Sequence, residues 1–356
     1  MKRIRVLVVE DSLTVRKYLC AVLAGDPEIE VVGEASDGSH AIELCQLHRP
    51  DVVTMDMVLP VMTGLAATEF IMAHRPTPIL VVSASTNRGD LYKTYDALAA
   101  GAVDVLEKPK GDDSDVAWER TFLSTVKLIA RIPVITHPRA RLGSLGRVSS
   151  PPLVPLPEAR VRQCQLIAIG TSTGGPGAIV EILRALPRPY PLPILLVLHI
   201  GEPFGKAFAE WLEQQSGHRV SYACDGERVS GRAGSILMAP PDRHVVVRGG
   251  RTYLTDSEER HSCRPSVDEL FESVARDYAA SAVGVLLTGM GRDGASGLLD
   301  IRRAGGMTIA QDEATSVVYG MPREAVLLHA AEQVLPLGQI GPALAVIGAT
   351  SRNGSR

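Results

Sequence analysis

Short β-branched runs and amphipathic stretches take turns along the first 130 or so residues of this chain. The runs "IRVLVV" (4–9), "EVVGEA" (30–35), "DVVTMD" (51–56), "PILVVSA" (78–84) and "VDVLEK" (103–108) read as strands. Between them "SHAIELCQLH" sets Ala41, Ile42, Leu44, Cys45 and Leu47 at helical spacing. A helix between consecutive strands returns the chain to the same end of the sheet, so the strands pair parallel. The rhythm stops at 133–163, "IPVITHPRARLGSLGRVSSPPLVPLPEARVRQC" with its flanks, and resumes with strands near 166–169, 193–198 and 282–288. A strand-rich insertion, "GSILMAPPDRHVVVRGGRTYL", interrupts the second half. The reading is α/β, two doubly wound parallel-sheet domains over 1–130 and 164–350, joined by a Pro/Arg-rich linker over 131–163. The linker arginines either face an acidic surface or are solvated.

Whole-chain quantities exclude several classes. A net charge of −3 over 356 residues gives no support to non-specific nucleic-acid binding. The second half also shows no helix-turn-helix with a basic recognition helix, which disfavours a DNA-binding output domain. The apolar run Leu192–Ile200 is too short to span a bilayer and contains Pro193 and His199. Lys2, Arg3 and Arg5 could open a signal peptide, but the apolar run after them ends at Glu10 and Asp11. Five scattered cysteines without C-x-x-C read as reduced thiols in a cytoplasmic protein, with no metal cluster. The chain is read as a monomer.

In a parallel α/β sheet, ligands gather at the carboxyl ends of the strands. In the first half those ends carry Glu10 and Asp11, then Asp56, Ser83 and Lys108. Three converging carboxylates repel one another unless a hard cation joins them, and Mg²⁺ suits oxygen ligands. Asp56 would then be a nucleophile toward a phosphoryl donor, with Ser83 and Lys108 binding the phosphoryl oxygens. Any one of these acids alone would fit a helix cap or a solvated loop. As a set, over residues 4 to about 125, they resemble the flavodoxin-like receiver domain of two-component response regulators. The resemblance implies phosphorylation of Asp56 by a histidine kinase, with Mg²⁺ held by Glu10, Asp11 and Asp56. Val105 stands where many receivers carry an aromatic residue three before the lysine.

In the second half "AIGTSTGGPG" (168–177) poses a choice between phosphate cradle and nucleophile turn. No lysine follows the glycines as a P-loop requires, and the spacing does not match G-x-G-x-x-G. G-x-S-x-G does match at Gly170–Gly174, with Pro176 suited to the first turn of a following helix. A tight turn with a capping serine fits the same letters. A nucleophilic serine needs a base and an acid to orient it. His199 ends "PILLVLHI" and Asp293 lies in "LLTGMGRDGASG", so Ser172, His199 and Asp293 are expected at one sheet edge. His244, His261 and His329 are weaker candidates; pairing Asp293 with His329 would need a histidine inside a late helix.

"GTSTGGPGA", "LHI-GEPF" and "LLTGMGRDGASGL", downstream of the receiver, resemble the chemotaxis protein-glutamate methylesterase (CheB) family over essentially the whole chain. The resemblance implies a Rossmann-like esterase with Ser172 as nucleophile, His199 as general base and acid, and Asp293 as its orienting acid. It further implies that Thr173 belongs to the pocket and that the Met290 backbone N–H serves the oxyanion. The implied substrates are γ-glutamyl methyl esters, with deamidation of selected glutamines, on chemoreceptor cytoplasmic domains. The implied phosphodonor is a chemotaxis-type histidine kinase, and no cofactor is implied for the esterase reaction. The rival reading is a response regulator whose second half only binds a partner.

Overall fold

Val6, Leu7, Val8 and Val9 are all buried, as a strand covered on both faces by helices requires. The computed structural model describes residues 3–84, 87–109, 115–132, 164–201, 204–205 and 207–353. The chain divides into two units, Met1–Val148 and Ser149–Arg356. Nearly all of the expected linker lies outside the described residues.

The first unit runs β1 (Ile4–Val9), α1 (Leu13–Ala24), β2 (Ile29–Ala35), α2 (Gly38–His48), β3 (Val52–Met55) and α3 (Gly64–His74). It continues with β4 (Ile79–Ser83), α4 (Arg88–Ala99), β5 (Asp104–Glu107) and α5 (Asp115–Ile129). The five strands form one parallel sheet in the order β2-β1-β3-β4-β5. The first four helices each start on a side-chain cap: Ser12, Asp37, Thr63 and Asn87 accept the N–H of Val15, His40, Ala66 and Asp90. These caps stop each turn short and keep the residues just after β1 and β3 at the sheet's rim. Val105 is half-buried and packs against the apolar core, so its place in β5 is a packing position.

The second unit begins with β6 (Leu166–Thr171), α6 (Gly175–Ala185), β7 (Ile194–Leu198), α7 (Phe208–Ser216), β8 (Arg219–Tyr222), β9 (Glu227–Arg228) and β10 (Ser235–Met238). After β11 (His244–Arg248) and β12 (Arg251–Thr255) come α8 (Val267–Tyr278), β13 (Ala282–Leu286), α9 (Ala295–Arg303) and β14 (Met307–Gln311). The chain closes with α10 (Met321–Leu327), β15 (Gln333–Leu335) and α11 (Leu337–Asn353). Seven strands make a parallel sheet in the order β15-β14-β13-β6-β7-β10-β8. The order runs outward from β6 in both directions, so the turn after β6 stands at the topological switch point, where such sheets open a crevice.

Two details of the second half differ from the sequence-based expectation. The "insertion" is not all separate: β10 sits inside the main sheet between β7 and β8, and only β11 and β12, with β9, form a small antiparallel sheet. His329 is not inside a helix either. Helix α10 stops at Leu327 and His329 turns into the left-handed region at φ 54°, which ends the helical ladder. Among the described residues, no helix is long and apolar enough to cross a membrane.

Candidate active site

At the rim of the first unit, Lys108 Nζ lies 2.9 Å from Asp56 Oδ2 and 2.9 and 3.0 Å from the two oxygens of Glu10. Carboxylate oxygens of Glu10, Asp11 and Asp56 fall within 4.8 Å of one another. Glu10 and Asp56 are buried and Asp11 is exposed. Burial pushes the Glu10 carboxyl up to about 7, and the Asp56 charge adds to the rise. Burial also raises Asp56 against the pull of the Lys108 ammonium. Burial alone would lower Lys108, but Glu10 and Asp56 hold it above its ordinary value. One ammonium therefore leaves the three acids short of positive charge, and this all-oxygen donor set fits a hard divalent cation. The Ser83 hydroxyl is buried with no hydrogen-bond partner among the described residues, so it is free to bind an incoming oxygen. All five residues expected at this rim are there.

In the second unit, hydrogen bonds tie three strand ends together. Thr171, the last residue of β6, donates through Oγ1 to the Thr288 carbonyl at 2.8 Å, and the Ser172 N–H donates to the same carbonyl at 3.1 Å. The His199 N–H donates to the Thr171 carbonyl at 3.0 Å. Ser172 thus sits between the turn after β7 and the loop after β13. The Thr288 hydroxyl donates to the Thr173 carbonyl at 2.9 Å, which closes the turn from the other side. Gly174 takes φ 78° and starts α6, with Pro176 in its first turn.

His199 Nε2 meets Asp293 Oδ2 at 2.8 Å. Asp293 is held by three further donors: the Ser266 hydroxyl (2.7 Å) and Asp268 N–H (3.0 Å) on Oδ1, and the Val267 N–H (2.7 Å) on Oδ2. Its carboxylate lies on the N-terminal end of α8, where free N–H groups and the helix dipole favour an anion. Burial works to raise Asp293, but the hydrogen bonds and charge of His199, then Ser266 and Val267, outweigh it and the carboxyl titrates below its ordinary value. Burial would lower His199; Asp293 and Cys263 overcome it and bring the imidazole up to about 9.

The ring's other nitrogen, Nδ1, faces Cys263 Sγ at 3.6 Å. Among the described residues the Ser172 hydroxyl makes no hydrogen bond, to His199 or to anything else, so the nucleophile candidate is close in the fold but not yet coupled. Met290 is 43% exposed, while among the described residues its N–H and that of Thr173 donate to no backbone carbonyl. Both amides are therefore available to a developing oxyanion. A depression of 590 Å³ opens here, lined by His261, Cys263, Met290, Arg292, Asp293 and Glu324.

The expected Ser172, His199 and Asp293 converge; His244 and His329 do not join them. His244 is buried, its Nδ1 accepting the Ser266 N–H at 3.1 Å. The residues that sequence reading missed, Cys263, Ser266 and Asp268, come from one segment, beside the weaker candidate His261. His261 Nε2 reaches Asp268 at 3.1 Å, and Arg292 Nε donates to His261 Nδ1 at 3.2 Å. Ser266 caps α8 by accepting the Glu269 N–H. The Ser-x-x-Glu spacing at 266–269 was the available signal, since it marks a helix start and hence an anion site.

Gly289 brings the loop after β13 against the serine turn. A Cβ there would lie 2.8 Å from Ser172 Cβ and 2.3 Å from the Met321 sulfur. Gly289→Ala must push Ser172 out of line, and a misplacement near 1 Å costs about 10²-fold in rate. Steady-state turnover of a chromogenic ester by the full chain, beside its unfolding midpoint, is expected to show that loss on a folded protein.

Comparison with known proteins gives concordant matches in both halves. The family model described as CheB methylesterase matches residues 167–344, and that of the response regulator receiver domain matches residues 6–116. A protein-glutamate methylesterase/protein-glutamine glutaminase of Nitrosospira multiformis is 42% identical over 344 residues, covering 96% of each chain. One from Anaeromyxobacter dehalogenans is 43% identical over 341 residues, again covering 96% of each. Among solved structures, the Thermotoga maritima CheB methylesterase catalytic domain is 35% identical, covering 52% of this chain and 98% of its own, with a TM-score of 0.49.

Proposed function

The chain belongs to the CheB methylesterase family, with a receiver domain ahead of the catalytic part, and from that premise we propose that it is a phosphorylation-regulated protein-glutamate methylesterase and protein-glutamine glutaminase. The observation that carries the reading is the His199–Asp293 pair, anchored on the start of α8 and placed beside Ser172 at one sheet edge. The proposed domains are 1–130 and 164–350, with a linker between them.

Ser172 Oγ attacks the carbonyl carbon of a γ-glutamyl methyl ester on a chemoreceptor cytoplasmic domain. Because Nε2 is engaged by Asp293, Nδ1 is the nitrogen that takes the serine proton, and the ring must exchange Cys263 for Ser172 to do so. The tetrahedral oxyanion is met by the Met290 and Thr173 N–H groups. His199 then gives its proton to departing methanol, or to ammonia when the substrate is a glutamine, leaving an acyl-serine. Water, deprotonated by His199, releases the glutamate.

In the first unit, Glu10, Asp11 and Asp56 would hold Mg²⁺, which when bound offsets the charge of the phosphoryl group. Asp56 is the acceptor, and Lys108 and Ser83 hold the phosphoryl oxygens. The donor is a chemotaxis-type histidine kinase and the setting is the cytoplasm. The unphosphorylated first unit restrains the esterase. Methanol release from methylated receptor membranes is expected to rise when a small-molecule phosphodonor and Mg²⁺ are added to the full chain. Release that is unchanged by the phosphodonor would sink the regulation, and no release at all would sink the esterase.

An imidazolium cannot accept a proton, so activity follows the neutral form of His199. With the imidazole at about 9, only about one molecule in a hundred carries the free base at pH 7. The kcat/KM of the resting enzyme is expected to climb tenfold per pH unit toward about 9 and to level above it. A profile already flat from pH 7 would contradict this.

A further inference from the structure

We propose that Cys263 and His199 form a binding site for a zinc-type divalent cation, and that occupancy switches the esterase off. The sulfur and Nδ1 stand 3.6 Å apart. With metal–sulfur and metal–nitrogen bonds of about 2.3 and 2.05 Å, a tetrahedral ion spans the same edge, about 3.6 Å. The ring's Nε2 is already on the Asp293 carboxylate at 2.8 Å. That is the outer partner a metal-ligating histidine ordinarily has, fixing the tautomer and raising the basicity of the ligating nitrogen.

The backbone that carries the thiol is also fixed in place. Arg260 and Cys263 exchange backbone hydrogen bonds of 3.2 and 2.9 Å across a turn whose middle residues, His261 and Ser262, have φ 53° and 59°. The 590 Å³ depression beside the pair leaves the remaining positions of the ion to water. A thiolate and an imidazole select a borderline-soft cation over Mg²⁺, whose oxygen ligands lie in the other unit. On binding, the Cys263 thiol and the His199 imidazolium each give a proton to solvent, one metal–sulfur and one metal–nitrogen bond form, and the hexaaqua ion loses four waters and keeps two. The ion then holds the lone pair that should take the Ser172 proton. The binding half stands without the proposed function; the inhibition half rests on it.

The test uses the reduced full chain with saturating Mg²⁺ and Co²⁺ as a probe. A thiolate-to-cobalt absorption band is expected for the unaltered chain and for Ser172→Ala, and none for Cys263→Ser. Zinc is expected to stop methanol release reversibly on chelation. Relative to its own metal-free rate, Cys263→Ser should need at least about tenfold more zinc for the same inhibition. No band, or a band that survives Cys263→Ser because the exposed Cys224 supplies it, overturns the site. Equal zinc inhibition of both proteins overturns the switch. Absence of methanol release under metal-free conditions strikes the esterase reading instead, and leaves the cobalt band to decide the site.

Discussion

Asp293→Asn is expected to lower kcat/KM for methyl-ester hydrolysis by about 10⁴-fold, and to destabilise the second unit by about 2–4 kcal/mol. Both effects come from one atom count. The carboxylate accepts from four donors: His199, Ser266, and the Val267 and Asp268 N–H groups. An asparagine has one acceptor oxygen, so its NH₂ must face either the Ser266 and Asp268 donors or the Val267 and His199 donors. In the first case a buried N–H opposes two donors; in the second the imidazole loses its anion and its tautomer. Urea unfolding and ester turnover of the same preparation check both halves. Wild-type stability with wild-type turnover would mean that Asp293 neither anchors α8 nor orients His199.

Ser172→Ala should remove more activity still, about 10⁵–10⁶-fold in kcat, while moving stability by no more than about 0.5 kcal/mol. The contrast follows from the Ser172 hydroxyl having no hydrogen bond among the described residues. Deleting it leaves no buried partner unsatisfied, yet it deletes the atom that attacks. Phosphorylation of Asp56 should be untouched. The experiment is methanol release and phosphodonor uptake measured side by side. Persistent release would place the nucleophile elsewhere. A variant that still restored a signalling output in full would favour a partner-binding second half over an enzyme.

Much of both sites was legible because parallel strands end where chemistry gathers. Glu10, Asp56, Lys108, Ser172 and His199 each directly follow a strand, so finding the strand also placed the residue. What could not be read was the approach of one segment to another. Cys263 and Ser266 lie just before α8 and Asp268 lies in its first turn, and nothing local shows that this segment folds onto the end of β7 and the loop after β13. His329 failed for the opposite reason: "AVLLHAA" carries a helical pattern, and the left-handed turn that stops α10 overrides it. The position of β10 between β7 and β8 was hidden in the same way, since a strand's neighbours are chosen by packing and not by its own letters.

The cradle around Asp293 has a consequence for anyone wishing to move this chemistry. The acid is carried by the loop after β13, but the groups that hold it, Ser266, Val267 and Asp268, come from 25 to 27 residues earlier in the chain. A graft of residues 288–294 onto another scaffold would deliver a carboxylate without its donors. The smallest transplantable piece is discontinuous, joining the first turn of one helix to a loop that the intervening α8 and β13 must bring back to it. Shuffling this enzyme by contiguous blocks would therefore break the site wherever a crossover falls between 269 and 293.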